Sequence, residues 1–419
     1  MNTPLAWKNL THNKVRTSVG VLGVGFAVIL IFMQMGFQGA IKKTATQIYD
    51  ALEFDLMLRS PAYLHLTEPR DFPRSRIYQA ASLPEVSAAR PFYLGLSEWQ
   101  APIRDLGVEE SVDEDTDDPS GKWRGIITMG TDPSDPAFSR SDIATKSRAL
   151  SDPRFVLVDS KSKPEYGPSN GTQFSEDDIG VETVLGPERV RIVGLFKLGT
   201  GMASNGACLT NPEGYVRACP WQTLEDVNFG LIALHDPTSA GDVKDRLHRI
   251  YGISQKTDDS IQPFDAVSLT NADVEILTRA EVNAREEHRW MVETPLGQIF
   301  NLGVWVALFV GVAIVYQVLS TDIANMMGEY ATIKAMGYGN KYLTIVVLQQ
   351  SVLLAVVGYL PSVVISWFLY RLVEYKSGMP MYLTGEILFI VLLLAIGMCV
   401  VSGMAALRKL YQADPADLF

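Results

Sequence analysis

The stretch Thr294-Pro-Leu-Gly-Gln-Ile-Phe-Asn-Leu-Gly-Val-Trp-Val-Ala-Leu-Phe-Val-Gly-Val-Ala-Ile-Val-Tyr-Gln-Val-Leu-Ser-Thr321 contains 28 residues and no charge, bounded by Glu293 and Asp322. A helix rises about 1.5 Å per residue and the hydrocarbon layer of a bilayer is roughly 30 Å thick, so about 20 apolar residues suffice to cross it. Three further charge-free runs have the same property: 25 residues from Arg16 to Lys42, 29 from Lys341 to Arg371 and 21 from Glu386 to Arg408. The chain of 419 residues, 47% hydrophobic and 20% charged, is therefore read as a membrane protein with four transmembrane helices. That composition excludes a collagen-like or charge-extended polypeptide.

Charge orients the spans. Residues 1–37 carry +3, residues 296–419 hold six bases and six acids, and the remaining −14 falls on residues 38–295, which disfavours a nucleic-acid partner. Lys8, Lys14 and Arg16 precede the first span, Lys334 and Lys341 lie between the second and third, and Arg408 and Lys409 follow the fourth. The positive-inside rule puts these seven in the cytoplasm, with both termini, and leaves the long segment between spans one and two outside. A cleaved signal peptide is disfavoured because the first apolar run exceeds about 15 residues and no A-x-A site follows Phe37.

The expected domains are a cytoplasmic segment 1–16, span 17–41, a periplasmic α/β domain 42–278, a stalk helix 279–293 and span 294–321. A cytoplasmic coupling helix and loop 322–341, span 342–370, a short outer loop 371–386, span 387–407 and a tail 408–419 follow. The fold class is membrane α+β, with a large mixed α/β domain inserted between helices 1 and 2. In that domain, alternation and β-branched content predict strands at Glu53–Arg59, Trp123–Gly130, Phe155–Val158, Val190–Lys197 and Val227–His235. Thr278 and Glu281 fit a capping box, so a helix starts there. If it continues nearly unbroken to Ser320, with a kink at Pro295, about 42 residues make a rod of roughly 60 Å.

Several chemistries are missing. No G-x-x-x-x-G-K-[S/T] occurs, and the Gly121-Lys122 pair is followed by Trp123 where the magnesium-holding hydroxyl would stand, so this chain is not expected to hydrolyse ATP. His12, His65, His235, His248 and His288 lack zinc spacing, and Ser204 lacks the G-x-S-x-G setting of a nucleophile. No catalytic, cofactor-binding or metal residue is expected. The acidic run Glu109–Asp118 fails as a calcium loop, since position six from Asp113 is Asp118 and position twelve is Arg124, and reads as a solvated loop. Cys208 and Cys219 lie in the outer segment, where a disulfide between them is an open alternative. Gln34, Gln298, Asn301, Gln317, Gln349 and Gln350 are the polar residues of the spans, with no ionisable group near a span centre, which argues against a proton relay. Gly23 with Ala27, and Ala307 with Gly311, have the small-residue spacing that lets helices approach closely.

The segment after Thr321 is the most informative. Ile323, Met326, Met327, Tyr330 and Ile333 recur at helical spacing, Glu329 and Lys334 flank them, and Gly337 is a stop. The polar face lacks the basic richness of a membrane-surface helix. A groove on a partner protein suits methionine and tyrosine, which adapt to a surface that changes shape. Met326, Glu329, Tyr330, Ile333, Lys334, Met336 and Gly337 are the candidate interface.

Leu5-Ala-Trp-Lys8, Phe32-Met-Gln-Met-Gly-Phe-Gln38, Phe72-Pro-Arg-Ser-Arg-Ile-Tyr-Gln79, Thr294-Pro-Leu-Gly297, Tyr316-Gln317, Glu329-Tyr-Ala-Thr-Ile-Lys-Ala-Met-Gly-Tyr338 and Asp414-Pro-Ala-Asp417 together resemble the DevC-type permeases of ABC exporters, relatives of the MacB and LolC/FtsX group. The resemblance covers nearly the whole chain. It implies a homodimer in the bacterial inner membrane and a separate cytoplasmic ATPase, which binds ATP and magnesium and docks on Glu329–Gly337. It also implies a periplasmic adaptor (a membrane fusion protein) leading to a TolC-like outer-membrane duct, and glycolipid, lipid or other amphiphile export by mechanotransmission. The alternatives are an FtsX-like scaffold that activates an extracytoplasmic hydrolase and a lipoprotein-release permease. The acidic run at 109–118 looks like an insertion relative to the family pattern.

Overall fold

A computed structural model describes residues 14–102, 123–168, 172–199, 204–253, 273–329, 332, 336–337 and 339–412. The chain divides into two units, residues 1–41 with 290–419, and residues 42–289.

The first unit is helical. Helix α1 covers Lys14–Ala51, and three further helices of this unit, Pro295–Asn325, Asn340–Ser377 and Gly385–Gln412, are numbered α7, α8 and α9 below in chain order. Each is long and apolar enough to cross a membrane, so the four-span expectation holds. With no hydrophobic drive between helices in lipid, close packing and interhelical hydrogen bonds must hold them together. Val24, Val28 and Ile31 of α1 pack with Val315 and Leu319 of α7, Leu354 and Ala355 of α8, and Val391 and Ala395 of α9. Hydroxyls then tie helix to helix. Ser362 Oγ donates to the carbonyls of Gly358 (2.7 Å) and Gly25 (3.1 Å), Ser402 Oγ to Val312 O (2.9 Å), Tyr359 OH to Leu388 O (2.9 Å), and Tyr370 OH to Phe32 O. Pro361 sits inside α8, immediately before the bridging Ser362. Such a proline is tolerated in a span because neighbouring helices and hydroxyl side chains can satisfy the backbone it frees.

The second unit is the expected mixed α/β domain. Its strands are β1 (Leu56–Arg59), β2 (Phe72–Pro73), β3 (Val86–Gln100), β4 (Trp123–Gly130), β5 (Phe155–Asp159), β6 (Glu182–Leu185), β7 (Glu188–Phe196), β8 (Ala207–Thr210), β9 (Asp226–Val227), β10 (Phe229–Leu234) and β11 (Glu275–Thr278). Between them lie α2 (Ser75–Ala81), α3 (Ser141–Ser147), α4 (Pro212–Ala218), α5 (Ala240–Ile250) and, last, α6 (Arg279–His288). Nine strands form one sheet in the order β11-β1-β10-β3-β4-β8-β5-β7-β6, and a further β3–β6 pairing closes its second part on itself. The long β3 joins both parts: Val86–Phe92 pair with β10 and Tyr93–Gln100 with β4. All six strands of the closed part contribute to one buried cluster that includes Trp99, Ile126, Val158, Leu185, Ile192 and Cys208, which is therefore its interior. Trp99 anchors it, its Nε1 donating to Tyr166 O at 2.9 Å.

Helix α6 begins at the expected capping box, with Glu281 N donating to Thr278 Oγ1 (3.3 Å) and Thr278 N to Glu281 (2.7 Å). Towards Ser320 the helical course is interrupted at one residue, Thr294. A turn of π-helix occupies Arg289–Glu293, and a new helix, α7, starts at Pro295. The physical reason lies in Thr294-Pro-Leu-Gly297. Thr294 is an N-cap whose hydroxyl donates to Trp290 O at 2.7 Å and accepts from Gly297 N, while Pro295 takes the first helical position, where no amide is needed. Gly297 lies against the Met291 carbonyl, where a Cβ would come within 2.3 Å of the oxygen.

Candidate functional site

The segment joining α7 to α8 is built by continuing α7. Ile323 is buried in the bundle, and Met326 and Met327 are half-buried against it. Asn325 ends α7, and the amide of Met326 still donates to Asp322 O at 3.0 Å. Residues 327–329 are helical again, with Glu329 exposed. Thr332 Oγ1 donates to Gly328 O (2.9 Å) and Met336 N to Thr332 O (3.0 Å). Gly337 then turns the chain with φ +92°, a left-handed conformation that favours glycine. Met336 stands 65% exposed beside that turn.

Of the seven candidate interface residues, Glu329, Met336 and Gly337 are thus presented outward and Met326 faces its own bundle, while Tyr330, Ile333 and Lys334 lie outside the described residues. An exposed carboxylate and thioether at a glycine-ended turn can bind a protein surface. Among the described residues no group of His, Cys, Asp and Glu could hold a metal ion.

Cys208 and Cys219 are free, and the disulfide considered above is not formed. Cys208 lies inside the closed sheet, 3.4 Å from Thr128 Oγ1, whereas Cys219 belongs to a different cluster with Tyr93, Tyr215 and Val227. A bridge needs the two Cβ atoms about 3.8 Å apart with a fixed torsion. Burial pushes both thiols up to about 12. The acidic run 109–118 lies outside the described residues.

The small residues of the spans meet within the chain. A Cβ on Gly23 would come 2.6 Å from Ile314, and one on Gly311 would lie 2.9 Å from the Cβ of Ala27, while Ala307 is buried in the same cluster. Two of the span amides pair locally. Gln38 Nε2 donates to Asn301 Oδ1 at 2.9 Å and Gln298 Nε2 to Val292 O at 3.0 Å, whereas Gln34 lies against Gly303 with its buried Oε1 making no hydrogen bond.

A buried polar network in the second unit was not expected from the sequence. Arg279, the first residue of α6, donates to Leu52 O (2.7 Å), Phe54 O (3.0 Å) and Tyr49 O (3.2 Å) and stacks on the Phe54 ring with Cζ 4.1 Å from its centroid. Two turns later, the carboxylate of Glu286, 1% exposed, accepts from Tyr63 OH at 2.7 Å and lies 3.7 Å from Arg59 Nη1. Tyr63 OH is 2.9 Å from Tyr49 OH. Because Tyr63 has one proton and gives it to Glu286, Tyr49 must donate to Tyr63. Arg59 also reaches Glu275 (3.1 Å), which Arg285 contacts in turn. Burial pushes both tyrosines well above their usual range, so they remain donors. The only sequence signal was the density of arginine and glutamate in 275–289; their partners are some 220 residues away.

Residues 301–415 match the family model described as FtsX-like permease C-terminal. No curated protein matches the chain. Among solved structures, the extracellular domain of the ABC-type transporter YknZ from Gram-positive bacteria is similar at 11% identity and TM-score 0.31, over 53% of this chain and 99% of that one. The periplasmic region of MacB from Actinobacillus actinomycetemcomitans is similar at 7% identity and TM-score 0.27, over 57% of this chain and 94% of that one. The matched stretch runs from within α7 through α8 and α9 and includes the exposed residues Glu329, Met336 and Gly337. Residues 301–415 are thus similar to the C-terminal part of the FtsX-like permeases, the wider group that the quoted motifs resemble.

Proposed function

We propose that this chain is the non-catalytic permease subunit of a DevBCA- or MacB-like ABC exporter. A separate cytoplasmic ATPase, which alone holds ATP and magnesium, docks on the turn carrying Glu329, Met336 and Gly337, together with Tyr330, Ile333 and Lys334. Two copies of the permease form the working unit. ATP binding draws two ATPases together, the docked turns follow, and the spans carry the displacement to the outer domains, so that work is delivered by mechanotransmission between discrete arrangements. The cargo is a lipid, glycolipid or other amphiphile gathered on the outer side, passed by way of a periplasmic adaptor to a TolC-like duct. The membrane is the bacterial inner membrane, with both chain termini cytoplasmic.

The observation that carries this reading is the exposed turn inside the stretch that matches the FtsX-like permease family. The neutral, locally paired span amides support it, since a mechanical transmitter needs no charged path through the bilayer. Purification from native membranes with bound partners tests it. A P-loop ATPase and an adaptor should accompany the chain, and the isolated chain should not turn over ATP. Recovery of a peptidoglycan hydrolase in place of the adaptor would favour the signalling-scaffold alternative, and recovery of lipoproteins the lipoprotein-release alternative.

A further inference from the structure

Arg279 and Glu286 are seven residues apart on α6, close to two full turns, so both lie on one side of the helix about 10 Å apart along its axis. The first is bonded to Tyr49 O in the last turn of α1 and to Leu52 O just beyond it; the second is bonded through Tyr63 to the Tyr49 hydroxyl of that same turn. Exposed ion pairs contribute little, but these groups are buried or part-buried. Removing one partner leaves a charge or a row of carbonyls without compensation in a low-dielectric setting. The guanidinium also stands where a helix leaves its last carbonyls open and its dipole is negative. Asn283 Nδ2, between the two points, donates to Asp50 Oδ1 at 3.4 Å. Helix α6 therefore cannot slide along or rotate against residues 42–51 without breaking all of these contacts together.

We propose that Arg279 and Glu286 form a two-point clamp that makes α6 and residues 42–51 one cooperative unit, opening and closing together. These are the two places where the chain enters and leaves the second unit, so a displacement of residues 42–51 carries α6 with it. The inference concerns the second unit itself and does not depend on what is exported.

Hydrogen–deuterium exchange on the full-length chain in detergent micelles tests it. Tyr49→Phe removes one hydroxyl from α1, and amide exchange in residues 280–288 of α6 should rise about tenfold, the scale of one lost buried hydrogen bond. Arg279→Lys keeps the charge but not the three-way reach, and exchange should rise in both 42–51 and 280–288. Strands β5 and β7 should be unchanged in each case. Glu286→Gln can still accept from Tyr63, and should exchange more slowly than Glu286→Ala. A rise confined to the substituted segment would overturn the clamp, and Tyr49→Phe decides the question alone should Arg279→Lys fail to fold.

Discussion

Ala27 and Gly311 meet where α1 crosses α7: a Cβ on Gly311 would stand 2.9 Å from the Cβ of Ala27 and 2.6 Å from Met398 Sδ. Methionine can turn aside, but Ala27 is fixed to the backbone of α1. Gly311→Ala should therefore destabilise the bundle by about 1–3 kcal/mol, the usual cost of overpacking. Gly397→Ala is the control, since nothing lies within 4 Å of its added Cβ. It should be neutral, or stabilising by up to about 1 kcal/mol through helix propensity. Thermal unfolding in detergent measures both, and equal midpoints for the two variants would remove the seam.

Cys208 and Cys219 should be silent to thiol reagents in the folded protein. Both are buried, and burial pushes them up to about 12, so at pH 8 the reactive thiolate is scarce. Maleimide labelling followed by mass spectrometry should find neither modified before denaturation and both modified after it, without a reductant. A requirement for reductant would show them joined.

The carboxyl of Glu286 is raised above the usual carboxylate range, chiefly by burial, with Tyr63 and Arg59 opposing. A group whose pKa is higher folded than unfolded binds more protons in the folded state. Its contribution to stability is complete below the unfolded pKa and is lost as pH rises through the folded one. Stability of the full chain relative to Glu286→Gln should thus fall as pH rises from about 4.5, by about 1.4 kcal/mol for each unit of separation between the two pKa values. Denaturant midpoints for both proteins across pH 4 to 8 give the slope, and parallel profiles would place the carboxyl outside the low-dielectric interior.

The four spans were legible because the bilayer imposes them: a charge within any of the four runs would cost several kcal/mol, and none occurs. The capping box at Thr278 was legible because it is local. Strand β3 was not, since its 15 residues include Pro91 and Gly95 and its two halves pair with different partners. Pro295 reads as a kink from the sequence, and only the extended backbone of Thr294, whose hydroxyl accepts from Gly297 N, makes it a helix start. At the candidate interface, periodicity identified an apolar face but not what covers it. Met326 packs on its own bundle, one turn before Glu329 becomes exposed. Arg279 was out of reach, because a guanidinium chosen by carbonyls 227 residues earlier leaves no pattern near it.

Glu329 offers the most direct test of the docking surface. It is exposed, and it lies in the short helical piece 327–329 that follows α7. Glu329→Lys reverses the sign of a surface charge, a change that rarely moves stability by more than about 0.5 kcal/mol. At a protein interface the same reversal sets like charges together and costs several kcal/mol. Capture of the proposed ATPase partner by the full-length variant should fall at least about tenfold, and more steeply at low salt than at high, because rim charges are screened within about 10 Å at 0.1 M salt. The thermal midpoint should stay within about 1 °C of the parent chain, the response expected of an exposed charge. Capture at undiminished strength, with the fold intact, would move the docking surface away from this segment.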